Sequence, residues 1–242
     1  MRLDKFLTDC GIGTRSQVKA ILKQKRIRVN GKIENSGKIQ VKENQDQITL
    51  DRKILTHETF VYYMLNKPQG VISATEDERH KTVLDLLDPA ARHKEVFPVG
   101  RLDIDTEGLL LLTNNGALAH ALLSPKKHVE KTYLARISGV MTKEDQERFR
   151  AGISLKDFTC QPAQLKILEV NEDEQTSLVE VTIAEGKFHQ VKRMVAACGK
   201  EVTYLKRLSM GSLQLDPSLK LGEFHRLTPS ELKSFEKLGI DL

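Results

Sequence analysis

Residues 109–113, LLLLT, stand between Gly108 and the turn-forming triplet Asn114-Asn115-Gly116, and so read as a short strand buried in a core. The run is far too short to cross a bilayer. The chain must therefore build a sheet with an interior. Its 242 residues suffice for one large domain, or for a small domain joined to a medium one. Apolar residues at 39% and charged residues at 29% fit a folded chain and exclude a disordered one. The N-terminus, MRLDKFLTDCG, is charged at once and has no apolar signal-peptide core. Cys10, Cys160 and Cys198 are odd in number and widely spaced. They form neither a metal-type pairing nor a disulfide framework, which points to the reducing cytoplasm.

The net charge of +5 is unevenly placed. Residues 1–60 hold 13 Lys/Arg and 7 Asp/Glu of the chain's 38 and 33, a net of +6, so the remainder carries −1. A polyanion-binding module joined to a nearly neutral body has this pattern, as does a solvated basic surface without a partner. Within the basic quarter, Thr14-Arg15-Ser16-Gln17 has the spacing of a capping box, and Val18, Ile21 and Leu22 follow at helical spacing. In RIRVNGKI, Ile27 and Val29 alternate with Arg26 and Arg28, and Asn30-Gly31 supplies a tight hairpin turn. A helix end and a hairpin then present Lys19, Lys23, Lys25, Arg26 and Arg28 together, a shape suited to the phosphates of folded RNA.

Residues 51–60, DRKILTHETF, read as a connector. Beyond it, FVYYMLN (60–66) is strand-like, interrupted by Lys67-Pro68-Gln69-Gly70, with VISAT extended and KTVLDLL (81–87) a short helix ending before Asp88-Pro89. ALAHALLSP is a helix stopped by Pro125, KTYLARISG (131–139) a strand, and TKEDQERFRAG (142–152) a capped polar helix. SLVEVTIAEG (177–186) alternates like a strand, and HQVKRMVAACGK is helical, with Gly199 as its stop. Strands are expected near 201–207 and 211–215, and TPSELKSFEKL as a final helix. Helices and strands interleave without a repeat or a glycine-rich nucleotide loop, so the expected class is α+β with a mixed, largely antiparallel sheet flanked by helices.

The segment before the leucines, GRLDIDTEG (100–108), carries two aspartates one residue apart. Asp103-Ile104-Asp105-Thr106-Glu107-Gly108 begins like an EF-hand loop, but Leu111 and Asn114 fall at the ninth and twelfth positions, where ligands are needed. A calcium loop is excluded. Asp and Thr before a strand are ordinary loop residues. Arg101 near Asp103, in a loop opening onto a buried strand, also fits a carboxylate held in place beside a cation.

Two resemblances extend this reading. RLDKFL (2–7), TRSQVKAIL (14–22) and IRVNGK (27–32) are similar, in order and spacing, to the S4 RNA-binding domain. GRLDIDTEGLLLLTNNG, with LNKPQGVISAT (65–75), SPKKHVEKTY (124–133), EGKFHQVKRM (185–194) and LKRLSMGSLQL (205–215), resembles the pseudouridine synthases that carry an S4 domain, and covers nearly the whole chain. The wording of ISATEDERHKTVLDLL and SPKKHVEKTY is more similar to the small-subunit rRNA branch.

The resemblance implies an S4-like domain over residues 1–57 and a pseudouridine synthase domain over 58–242. It implies isomerisation of a uridine in 16S rRNA, at the family's uridine 516 site, with Asp103, Tyr133 and Lys192 as the catalytic group. Asp103 is the essential carboxylate, Tyr133 stacks on the uracil and assists proton transfer, and Lys192 pairs with Asp103. Arg101, Gln190 and His189 are candidates for substrate binding, and Asp105 for organising the loop. In the S4-like domain, Arg2, Lys5, Arg15, Lys19, Lys23, Arg26 and Arg28 are candidates for RNA contact. No metal or organic cofactor is implied. The expected partner of this monomer is 16S rRNA or a partly assembled small ribosomal subunit, with no membrane involved. Three alternatives compete: a large-subunit rRNA synthase of the same superfamily, a non-catalytic RNA-binding assembly factor, and metal-dependent phosphoryl transfer by the two aspartates. Asp103, Tyr133 and Lys192 occurring together argue against an idle descendant, and the third alternative lacks a phosphate cradle.

Overall fold

In the computed structural model, which describes residues 1–43, 45–240 and 242, the chain forms two units, Met1–Phe60 and Val61–Leu242. The first contains α1 (Leu3–Asp9), α2 (Arg15–Lys23), β1 (Ile27–Val29), β2 (Lys32–Ile33), β3 (Ile48–Leu50) and β4 (Lys53–Leu55). The capping box closes the start of α2: Gln17 N–H donates to the Thr14 hydroxyl, and Thr14 N–H to the Gln17 side chain at 2.8 Å. Asn30 and Gly31 both have positive φ, as a two-residue hairpin between β1 and β2 requires. The strands lie antiparallel in the order β2-β1-β3-β4. Leu3, Phe6, Leu7, Val18, Leu22, Ile27, Val41 and Ile48 form a core of their own. Residues 51–60 were expected to be a connector, but Lys53–Leu55 is a strand of this sheet. Its side chains stay largely outside the core, so no buried alternation marked it.

The second unit contains β5 (Tyr62–Lys67), α3 (Pro89–His93), β6 (Phe97–Pro98), β7 (Glu107–Thr113), α4 (Gly116–Leu123), β8 (Lys131–Ser138), α5 (Lys143–Ala151), β9 (Gln164–Asn171), β10 (Thr176–Ile183), α6 (Gln190–Ala197), β11 (Glu201–Met210), β12 (Leu213–Gln214), β13 (Phe224–Arg226) and α7 (Pro229–Lys233). The sheet runs β13-β5-β7-β11-β8-β10-β9, with β6 added to β7 and β12 to β11. Among the described residues, the pairing of β7 with β11 is parallel and the others are antiparallel. This is the mixed, largely antiparallel sheet expected, with α5 packed on β9 and α6 on β11. Leu109–Leu112 are fully buried between β5 and β11.

Three local expectations change. VISAT forms a single bridge, Ile72 to Thr82, and no longer strand, and the Ser73 hydroxyl bonds the Leu102 backbone. The 81–87 helix is one 3-10 turn, Val83–Leu86. The last helix ends at Lys233, where Phe235 turns into the interior and a 3-10 turn, Glu236–Leu238, follows.

Candidate active site

The loop before β7 is fixed from below by the segment after β5. Lys67 ends β5 with no solvent exposure, and its ammonium donates to the carbonyls of Pro68 (3.0 Å), Asp103 (3.0 Å) and Thr106 (2.9 Å). Gly70 N–H donates to the Ile104 carbonyl at 2.8 Å. The Ser73 hydroxyl accepts from Leu102 N–H and donates to its carbonyl, both at 3.0 Å. Thr106 N–H closes the turn onto the Asp103 carbonyl. Burial pushes the Lys67 ammonium down to about 8, although Asp103, Asp105 and Glu107 act against that. Lys67 and Ser73 fall in the LNKPQGVISAT segment, but neither was expected as a site residue. The available signal was a lysine closing an apolar strand, where a cation is sustained only by several acceptors.

Beside this loop lies an open cleft lined by Arg101, Asp103, Tyr133, His189, Gln190 and Lys192, among others. All six candidates from the catalytic body thus meet in one place, delivered by three separate segments: the loop before β7, the strand β8, and the start of α6. Tyr133 is buried on β8, and Arg101 is exposed. Lys192 Nζ lies 3.4 Å from Asp103 Oδ2, and His189 Nε2 lies 3.5 Å from Asp103 Oδ1. A cationic side chain and an imidazole therefore flank the two oxygens of one carboxylate.

Lys192 has a closer partner than Asp103. Its ammonium donates to Asp105 Oδ1 at 2.6 Å, and this bond holds the Asp105 carboxyl below the usual range. The two aspartates share one lysine, with the tighter contact on the more exposed of them. Gln190 faces the cleft, but its amide is engaged within the neighbouring loop. It donates to Glu185 at 2.6 Å and accepts from Lys187 N–H at 2.9 Å, so it fixes the strand-to-helix connection. His189 caps α6 in the left-handed region, φ 50°.

In the first unit, the seven candidate cations are all exposed but do not form one set. Arg2, Arg15, Lys19 and Lys23 line a groove with Lys38, Asn35 and Ser36. Lys38 was missed, because it lies in a loop without periodicity. Lys5, Arg26 and Arg28 are engaged outside that groove: Lys5 pairs with Asp9 at 2.6 Å, Arg26 forks onto Asp51, and Arg28 donates to the Gly31 carbonyl at 2.9 Å. The basic surface is thus built by α2 and the 35–38 loop, with the hairpin cations turned to local partners.

A basic groove in one unit and a cleft with a flanked carboxylate in the other fit a two-module enzyme acting on a polyanion. The RNA pseudouridylate synthase family matches residues 61–197, and the S4 domain matches residues 1–46. The chain belongs to the RNA pseudouridylate synthase family, isomerases of uridine, and carries an S4 domain. It is 47% identical to an uncharacterised RNA pseudouridine synthase, YtzG, of Bacillus subtilis, over 96% of this chain and 97% of that protein. It is 39% identical to ribosomal small subunit pseudouridine synthase A of Haemophilus influenzae (98% and 100% covered). Identity to ribosomal large subunit pseudouridine synthase B of B. subtilis is 38% (98% and 96% covered). A crystal structure described as a pseudouridylate synthase superposes with a TM-score of 0.67 at 38% identity, covering 97% of this chain and 99% of that one.

Proposed function

We propose that this chain converts one uridine of small-subunit (16S) rRNA, at the family's uridine 516 site, to pseudouridine, with Asp103 as the catalytic residue. The observation that carries the catalytic assignment is the Asp103 carboxylate, held by its own backbone on the Lys67 clamp and flanked at its two oxygens by Lys192 and His189. The reaction breaks the bond from ribose C1′ to uracil N1, turns the base, and forms a bond from C1′ to C5. The hydrogen leaves C5 as a proton and N1 gains one, so no atoms are gained or lost overall. The Asp103 carboxylate either stabilises or captures positive character at C1′, as in glycosidases, or removes the ribose C2′ proton. Tyr133 stacks on the detached uracil and assists proton transfer at C5. The Lys192 ammonium offsets the carboxylate's charge before substrate arrives and interacts with the uracil anion after cleavage. The base must leave its stack to reach these groups, so the RNA target is a loop or a partly folded segment.

The small-subunit target rests on the 72–87 and 124–133 segments and on the similarity to small subunit synthase A. Similarity to a large-subunit enzyme is nearly equal in extent, so large-subunit rRNA is the second reading. Both are tested with transcripts of each rRNA tritiated at uridine C5, since isomerisation releases that tritium to water. The expected result is release from the small-subunit transcript by the wild type, with a chelator present, and none by Asp103→Asn. Release persisting in Asp103→Asn would sink the catalytic assignment, and release from the large-subunit transcript alone would move the target.

A further inference from the structure

Phe188 is the most exposed of the large apolar side chains described, with 75% of its surface open. It is not on a loose segment. On one side Lys187 N–H is bound by the Gln190 side chain, which also holds Glu185, and Glu185 in turn accepts from Gln161 N–H at 2.8 Å. On the other side His189 opens α6. The Phe188 ring lies against the His189 ring, with centroids 3.8 Å apart and planes 18° from parallel, and His189 reaches Asp103. Lys187 and His189 both line the cleft, so Phe188 stands at its rim with a ring face toward solvent. Arg101 and Lys187 place cations around the same opening, whereas Lys192 is engaged by Asp103 and Asp105.

An apolar ring held in water beside a reactive carboxylate lacks a partner that burial in the free protein supplies. Extruding the target uridine from RNA leaves the neighbouring base with an uncovered face, and any nucleobase can stack on a planar ring. We propose that Phe188, backed by His189, is a base-stacking platform that takes the nucleobase next to the target uridine. This rests on the reading of the cleft as the site of uridine isomerisation. The nearby cations suit the phosphates on either side of that base, and the His189 ring stiffens the platform from behind. Phe188 is a positioning residue in this role, because it grips the RNA beside the reacting nucleotide and not the nucleotide itself.

The chain contains no tryptophan, so Phe188→Trp places a single fluorescent reporter at the platform. Wild type, Phe188→Ala and Phe188→Trp are compared by tritium release from C5-tritiated small-subunit and large-subunit transcripts. Phe188→Ala is expected to raise KM about 10-fold or more, with kcat within about 3-fold of wild type. Phe188→Trp should keep a near-wild-type KM, and its emission should be quenched as the accepted transcript saturates it. An unchanged KM in Phe188→Ala, a fall in kcat alone, or an unquenched tryptophan would each overturn the platform. A wild type inactive on both transcripts would instead overturn the isomerase reading on which it rests.

Discussion

Asp103 and Asp105 look equivalent on paper but sit differently around Lys192. Asp103 is carried by the Lys67 clamp and faces the cleft, whereas Asp105 is the more exposed and makes the shorter contact to the lysine. An exposed ion pair contributes about 0–1 kcal/mol. Asp105→Asn is therefore expected to lower kcat/KM by less than about 5-fold, against the loss of turnover in Asp103→Asn. Equal losses in tritium release would show that the two carboxylates act as one unit. The buried lysines give a second expectation at this scale. Burial lowers both Lys67 and Lys131 from 10.5 to about 8, and the Lys131 ammonium donates to the Val129 carbonyl with buried Arg207 nearby. Between pH 8 and 9 the unfolded chain binds more protons at these sites than the folded one, so stability rises with pH. Each lysine adds about 1 kcal/mol by pH 9. Cys160 and Cys198, which burial raises from 9.0, oppose this as their unfolded thiols begin to ionise toward pH 9, so they reduce the net gain without cancelling it. Urea unfolding at pH 7.5 and pH 9 should show the gain, and Lys131→Met should remove about half of it. A flat or falling profile in the wild type would contradict the assignment.

At the scale of elements, the two halves of the large sheet meet where β7 runs parallel to β11, in a register of Lys206 with Glu107 and Arg207 with Gly108. Gly108 has φ +101°, and a Cβ there would collide with the Arg207 backbone carbonyl and amide. Close backbone approach is thus the reason for glycine at the exit of the loop that carries Asp103. Gly108→Ala is expected to destabilise the fold by roughly 3 kcal/mol or more, read as a shift in urea midpoint, with tritium release falling in parallel. An unshifted midpoint would mean that the strands tolerate separation. Only part of this was legible beforehand. The run LLLLT between Gly108 and Asn114-Asn115-Gly116 reveals β7, because a fully apolar run with turn residues at both ends has few other solutions. The partner of Gly108 is ninety-nine residues away in sequence, and no local pattern encodes that pairing. β9 escaped notice for a related reason. It lies at the sheet edge with Leu168 and Val170 exposed, and its pairing with β10 shifts register at Leu178–Val179, so its apolar residues do not alternate cleanly. The cleft was legible through family segments, whereas the Lys67 and Ser73 supports act through backbone carbonyls and amides that side-chain patterns do not display.

For the whole molecule, each unit has a core drawn from its own residues. The first core ends with residues of β3 and β4, and the large cluster begins at Val61. The charge is divided along the same line, +6 in residues 1–60 and −1 beyond. On the proposed function, long-range capture of the RNA falls mainly to the first unit and rearrangement of the uridine to the second. A protein lacking residues 1–57 is expected to unfold cooperatively, because no residue of the 61–205 core is removed. Its capture of the long transcript should suffer far more than its fold, with KM raised about 10-fold or more. The loss should be electrostatic in form. Each phosphate neutralised in a single-stranded region contributes about −0.7 to the slope of log K against log salt. The groove offers Arg2, Arg15, Lys19, Lys23 and Lys38, of which Arg2 is already paired with Asp4. Four contacts from the remaining cations would steepen the slope by roughly 3 in the full chain relative to the truncated one. Binding of the small-subunit transcript measured between 50 and 200 mM salt reads this difference directly. Parallel slopes with a lost affinity would assign the first unit a non-ionic role, and an unchanged KM on the long transcript would remove it from substrate capture.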